Sequence, residues 1–247
     1  MNVFDKYADF YDVFYAQKDY LSEANFIIKL FEKYQLNNSD SILELGTGTG
    51  QHLKYISEKY PNFLGLEPSY SMRLKAMKLL GVDILSGNAE DLDISRNFKC
   101  IFSFFHVVSY IEDINRLFQT IASHLDEDGL FIFDCWNTTG VFYQKPEVRS
   151  QFYNLNNAII HRISEPTISQ HGDYIDVNYT VYSNDLINNK ITKFDEKHRM
   201  YCYSYSDLKR IARFNGFEIV DTFDINSEAG SSWGNWQLGV CLRKIRV

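Results

Sequence analysis

Leu43-Glu44-Leu45-Gly46-Thr47-Gly48-Thr49-Gly50 is an apolar run that breaks into three alternating glycines. After an amphipathic stretch comes a second apolar run, Phe63-Leu64-Gly65-Leu66, ending in the lone acid Glu67. Read as two strands, the first feeds a turn whose bare backbone a ligand can approach at a helix N-terminus. The acid at the end of the second can accept hydrogen bonds from both hydroxyls of a ribose. The pair predicts a nucleoside-containing cofactor held beyond the carboxyl ends of a parallel sheet.

Spacing narrows the choice. The dinucleotide fingerprint needs a third glycine to pack helix on strand, five residues after the first. Here that position is Gln51. A phosphate-binding P-loop is excluded as well, because no Gly-Lys-Ser/Thr follows. The run Glu-Leu-Gly-Thr-Gly-Thr-Gly, with an acid closing the next strand, resembles motif I and the acidic loop of class I S-adenosylmethionine-dependent methyltransferases. The resemblance implies S-adenosyl-L-methionine as cofactor and S-adenosyl-L-homocysteine as product.

Strand-like and helical patterns alternate through the first part of the chain. Apolar positions at 21, 24, 26, 27, 30 and 31 have helical spacing. Ser41–Leu45 and Phe63–Glu67 are the first two strands, with a helix over Gln51–Tyr60 that Pro61 stops. Ser69 or Ser71 caps a helix that Gly81 ends. Val82–Leu85, Cys100–Phe105 and Leu130–Cys135 read as strands three to five, and Asp113–Leu125 as a helix. Such alternation predicts an α/β fold with a doubly wound, mostly parallel, seven-stranded sheet, Rossmann-like in form. From about Val141 to Tyr203 no good helix is expected. Alternation such as Tyr174-Ile175-Asp176-Val177 and the Asn188-Asn189 turn predict an antiparallel sheet inserted after strand five. Ser204 or Ser206 then caps a helix closed by Gly216, and Phe217–Phe223 with Leu238–Arg243 form a final antiparallel pair. The expected division is a cofactor-binding core, 1–140 and 204–247, and an acceptor-binding insertion, 141–203.

Net charge is -7, which disfavours a nucleic-acid partner, since that role calls for a basic face. The four cysteines are scattered, and Cys100, Cys135 and Cys241 sit in apolar runs. Buried thiols are expected rather than bridges or metal ligands, and no metal is predicted. No run is long enough to span a bilayer and no signal-peptide core is present, so a cytoplasmic monomer or homodimer is expected.

The resemblance sets the cofactor against Tyr15, Glu44, Gly46, Thr47, Gly48, Gly50, Glu67, Pro68, Met72, Asn88, Ala89 and Phe105. Asn88 stands where the family commonly has an Asp bonding the adenine; Asn also favours turns in its own right. A narrower similarity, over nearly the whole chain, is to deoxyamino-sugar nucleotide N,N-dimethyltransferases. It rests on Tyr11-Asp12-Val13-Phe14-Tyr15, Asp19-Tyr20, the Gly48-Thr49-Gly50-x-His52 turn, Arg162 and His198. It implies an acceptor, a (nucleotide-linked) amino sugar, bound near Tyr11, Tyr15, Trp136, Arg162 and His198; Trp233, read from its own chemistry, could stack on a sugar or base or else pack at the rim of the core. The chain departs from that family in the loop before the last strand, Ser231–Gln237, which lacks the family's phosphate-holding arginine.

Two residues beyond strand four are candidates for handling the amine proton. Tyr110 takes the slot where the resembling family has a histidine, and is a poor base at an unperturbed pKa near 10. His106 is a better base by pKa; the alternative is a satisfied strand-end histidine. Small-molecule O-methylation, methylation of another amine, and a non-catalytic regulatory protein that binds S-adenosylmethionine are the competing functions.

Overall fold

The computed structural model describes Phe4, residues 6–225 and residues 231–245. A short helix, α1 (Ala8–Phe14), precedes the long α2 (Tyr20–Lys33), whose N-cap Asp19 accepts from Ser22 N at 2.9 Å. Then β1 (Ile42–Leu45), α3 (Gln51–Ile56), β2 (Phe63–Leu66) and α4 (Tyr70–Leu80) follow. Ser69 is the N-cap of α4, and Gly81 closes it in the left-handed region at φ 70°, as the sequence predicts. The chain continues through β3 (Phe98–Ser103), α5 (Ile114–His124) and β4 (Leu125–Asn137).

The expected strand over Val82–Leu85 is reduced to one bridge, Leu66 to Leu85. Two main-chain bonds hold it: Leu85 N to Gly65 O and Leu85 O from Glu67 N. An edge this short offers little template for pairing with another chain. Among the described residues the core sheet therefore has six strands and this bridge, in the order β2-β1-β3-β4 and then β10 (Gln237–Lys244) and β9 (Phe217–Phe223). The first four are parallel, and β10 runs antiparallel to both β4 and β9.

Both faces of this sheet are dry, because successive side chains leave opposite faces. Ile42, Cys100, Phe102 and Ile132 pack with Ile27, Phe31 and Leu53 of α2 and α3. Their neighbours Leu43, Ile101, Phe131 and Phe133 pack with Phe118 of α5 and Leu208 of α7 (Tyr205–Phe214). Continuous apolar runs are what a sheet buried on both faces requires. All four cysteines are buried free thiols. Among the described residues no helix is long and apolar enough to cross a membrane.

After β4 comes a six-residue helix, α6 (Thr138–Tyr143), which straddles the expected start of the insertion. Four antiparallel strands follow: β5 (Arg149–Asn154), β6 (Ala158–Ile168), β7 (Tyr174–Asp185) and β8 (Lys190–Tyr203). The end of β8 pairs in parallel with the end of β4, Trp136 with Cys202 and Asn137 with Tyr203. At Trp136 the other edge of β4 is taken by Gln237 of β10. So β8 occupies the edge that β3 leaves after Ser103 pairs with Phe133. The insertion thus continues the main sheet and rises over the carboxyl ends of its strands.

Candidate active site

One cavity of about 630 Å³ opens above those strand ends. Its floor is the glycine turn. Gly46 and Gly48 hold φ 67° and 58°, a region open to glycine and costly for other residues. A Cβ on Gly46 would lie 2.6 Å from the side chain of Val107. Glu67 is buried, and its carboxylate accepts from Gly48 N at 2.8 Å and from Ser69 N at 2.8 Å. Burial pushes this carboxyl above its usual range, although both main-chain bonds pull the other way. Each oxygen keeps a further lone pair for a ligand hydroxyl.

Pro68, Met72, Asn88 and Ala89 line the cavity beside Glu67. They offer an apolar slot edged by one amide, which suits a purine. Tyr15, Thr47 and Phe105 line it as well. Phe105 and His106 both have positive φ, 66° and 63°. The buried Asp134 anchors that bend by accepting from His106 N at 2.8 Å. The His106 ring also lines the cavity, with Nδ1 3.3 Å from Asp134 Oδ2. Burial lowers its pKa, outweighing the attraction of Asp134.

At the far end stand Tyr11, Tyr110, Trp136 and His198, all predicted. Tyr110 comes from a 3₁₀ turn (Val107–Tyr110) after β3, and His198 from β8. Their side chains meet across the cavity, Tyr110 Oη 2.8 Å from His198 Nδ1. Burial raises the Tyr110 phenol well above its ordinary value.

Helix α1 crosses the opening, with Tyr7, Tyr11 and Tyr15 turned inward. One side of it is tied to the core by Thr49 Oγ1 donating to Asp12 at 2.9 Å and Lys75 Nζ donating to Ala8 O at 2.5 Å. The other side is tied to the insertion by Arg162 donating to the Tyr7 hydroxyl at 2.9 Å and by stacking of Phe10 on Phe194.

Four predicted site residues lie outside the cavity lining. Glu44 is buried behind the turn, with Oε1 3.7 Å from His52 Nδ1 and Oε2 without a hydrogen-bond partner. It backs His52, which does line the cavity and also bonds Glu23 at 2.8 Å. Burial lowers the His52 pKa, but the two carboxylates outweigh it and hold the ring above its usual value. Gly50 faces away from the cavity, and a Cβ there would touch Ala76 and Leu80 at 3.2 Å. Arg162 stands behind Tyr7, among the rings of Phe14, Tyr15, Tyr153 and Tyr179. Trp233 is exposed and lies edge-on to Tyr143, because Asn137 and Thr139 hold its carbonyl and turn the ring outward.

Sequence reasoning missed Tyr7 and Tyr179, which line the cavity, and Asp134, which holds the bend at His106. Asp134 had a readable signal, an acid inside the apolar run Phe131-Ile132-Phe133-Asp134-Cys135. So did Tyr7, one helical turn before Tyr11.

A buried carboxylate beside a glycine turn, with an apolar slot edged by one amide in the same cavity, fits a transferase of the class I fold that binds an adenosyl group. The chain belongs to the methyltransferase-domain family, whose profile matches residues 15–222. It is an S-adenosylmethionine-dependent methyltransferase. It is 32% identical over 136 residues to the dTDP-3-amino-3,4,6-trideoxy-alpha-D-glucopyranose N,N-dimethyltransferase of Streptomyces venezuelae. That match covers 53% of this chain and 57% of the relative's length. It is 26% identical to the dTDP-4-amino-2,3,4,6-tetradeoxy-D-glucose N,N-dimethyltransferase of Saccharopolyspora spinosa, covering 71% of this chain and 72% of that one. The crystal structure of Streptomyces venezuelae DesVI superposes with a TM-score of 0.80 at 22% identity, covering 97% and 98% of the two chains. That likeness establishes the shared fold.

Proposed function

We propose that this enzyme methylates the amino group of a small-molecule acceptor, an amino sugar that is nucleotide-linked or free. The observation that carries this reading is the Tyr110–His198 contact at the end of the cavity opposite Glu67. When bound, S-adenosylmethionine supplies an electrophilic methyl group on a sulfonium. Glu67, Pro68, Met72 and Asn88 hold its adenosyl half, and the glycine turn receives its methionine half. Residues 141–203 then act as the acceptor wall, and 1–140 with 204–247 as the donor-binding core.

An amine attacks through its lone pair and must shed a proton. Tyr110 alone is a poor base, and its raised pKa makes it poorer. Glu196 Oε1 accepts from His198 Nε2, which leaves Nδ1 to accept from the Tyr110 hydroxyl, so the phenol oxygen can take the amine proton as its own moves to the imidazole. A placed base of this kind contributes about 10²–10⁴-fold. His106, with its lowered pKa, stays neutral at pH 7 and borders the site without a proton acceptor behind it other than Asp134. Among the described residues, no Lys or Arg lines the cavity. An amine-bearing ring fits among Tyr11, Tyr110, Trp136 and Tyr179, with any phosphates directed outward. An aromatic enclosure also favours the methylated ammonium, through cation–π attraction.

A methyl-transfer assay with labelled donor, run over amino and hydroxy sugars in free and nucleotide-linked form, tests the reading. Transfer to amino sugars alone is expected. Transfer only to hydroxyls, or donor binding with no transfer to any amine, contradicts it.

A further inference from the structure

Glu196 lies two residues before His198 on β8, so the two side chains leave the same face of the strand. The His198 ring is buried and has a partner on each nitrogen, Tyr110 at Nδ1 and Glu196 Oε1 at 2.9 Å from Nε2. A carboxylate can only accept, so Nε2 carries the proton and Nδ1 is left to accept from Tyr110. The same carboxylate accepts from main-chain N–H groups of the segment that covers the cavity. Phe4 N donates to Oε1 at 2.5 Å and Tyr7 N to Oε2 at 3.3 Å. The rings of Phe4 and Tyr7 also pack on the imidazole, with centroids 4.8 and 5.2 Å away. The titratable groups facing His198 are therefore Tyr7 from the covering segment, Tyr110 from the turn after β3, Tyr179 from β7 and Glu196 itself. Arg162 is one step removed, on the Tyr7 hydroxyl.

We propose that Glu196 is a positioning residue that couples seating of the α1 segment to the proton acceptor at Tyr110. This rests on the reading of Tyr110 and His198 as the acceptor's base. With the segment seated, two N–H groups and two rings fix the carboxylate and the imidazole, and Nδ1 is aimed at Tyr110. With it unseated, Glu196 loses both main-chain donors and His198 loses two of its packing partners. The imidazole is then free to turn or exchange tautomers. The base is thus assembled only beneath a closed cover, where water is excluded.

Glu196→Gln in the full chain tests the coupling. A glutamine amide can offer either oxygen or N–H to Nε2, and it replaces a charge-assisted bond to Tyr7 N with a neutral one. Nitrogen-15 spectra of histidine-labelled protein are expected to show His198 as one Nε2–H tautomer in the wild type and as a mixture in the variant. Hydrogen exchange of the Tyr7 amide is expected to be at least about tenfold faster in the variant. If either the tautomer or the exchange rate stays at its wild-type value, the coupling is overturned. Tyr110→Phe probes the underlying base reading separately. A fall in kcat with donor affinity unchanged supports that reading, and an unchanged kcat removes it, whatever Glu196→Gln shows.

Discussion

Glu67 answers two main-chain donors at once, Gly48 N and Ser69 N, and keeps acceptor capacity for a ribose. Glutamine has one carbonyl oxygen, so Glu67→Gln leaves one of those N–H groups facing an NH₂. The loss of a charge-assisted acceptor is worth about 1.5–3 kcal/mol. Donor affinity by calorimetry should therefore fall roughly tenfold to a hundredfold, and unchanged affinity would remove Glu67 from the donor site. His106 makes a different prediction. Burial holds its folded pKa below the unfolded value of about 6.5. As pH falls through 6.5 the unfolded chain takes a proton that the folded chain refuses, so the folded state loses stability on the acid side. Asparagine tolerates the left-handed backbone at this position. His106→Asn should accordingly show a smaller drop in Tm between pH 7.5 and 5.5 than the wild type. An equal drop would mean that the ring titrates normally.

Among the elements, α1 is bonded to both the core and the insertion. Its seven residues are too few to hold a helix alone in water. Its order comes from Thr49, Lys75, Arg162 and Glu196, which reach it from four other parts of the fold. Asp12 is its link to the glycine turn. Asp12→Ala removes the Thr49 bond and the Lys75 pair, worth about 0.5–1.5 kcal/mol together. Faster donor dissociation is expected, by up to roughly tenfold, with little change in Tm. A matching loss of global stability would make α1 part of the core rather than a cover. The sequence carried α1 only as an aromatic cluster, because its periodicity is too short to separate from a loop. The strands of the core were legible for the opposite reason. Leu43, Phe102 and Phe133 sit in runs that only a sheet buried on both faces explains. Val82–Leu85 was overread, since four residues with an exposed Val82 look like a strand whether or not a neighbour pairs with them.

At the scale of the molecule, the cavity draws on both parts of the chain: Tyr11, Tyr110 and Trp136 come from the core, and Tyr179 and His198 from the insertion. Gly46, Glu67 and Asn88 follow the first strands of the core, and their place at the cavity was readable because local backbone chemistry sets it. The acceptor half depends on β8 pairing with the end of β4, a contact between residues 136 and 202 that no local pattern encodes. That pairing sets His198 opposite Tyr110. Arg162 and Trp233 lie outside the cavity lining. Residue type suggested a ligand for each, whereas the register of β6 and the anchoring of the loop by Asn137 point them elsewhere.

The most direct test of the central claim is a crystal structure of the chain with S-adenosylhomocysteine. The account predicts ribose hydroxyls on Glu67, adenine between Met72 and Asn88, and a sulfur that faces Tyr110 across an open chamber. A ligand bound elsewhere, or a sulfur turned away from Tyr110 and His198, would contradict it.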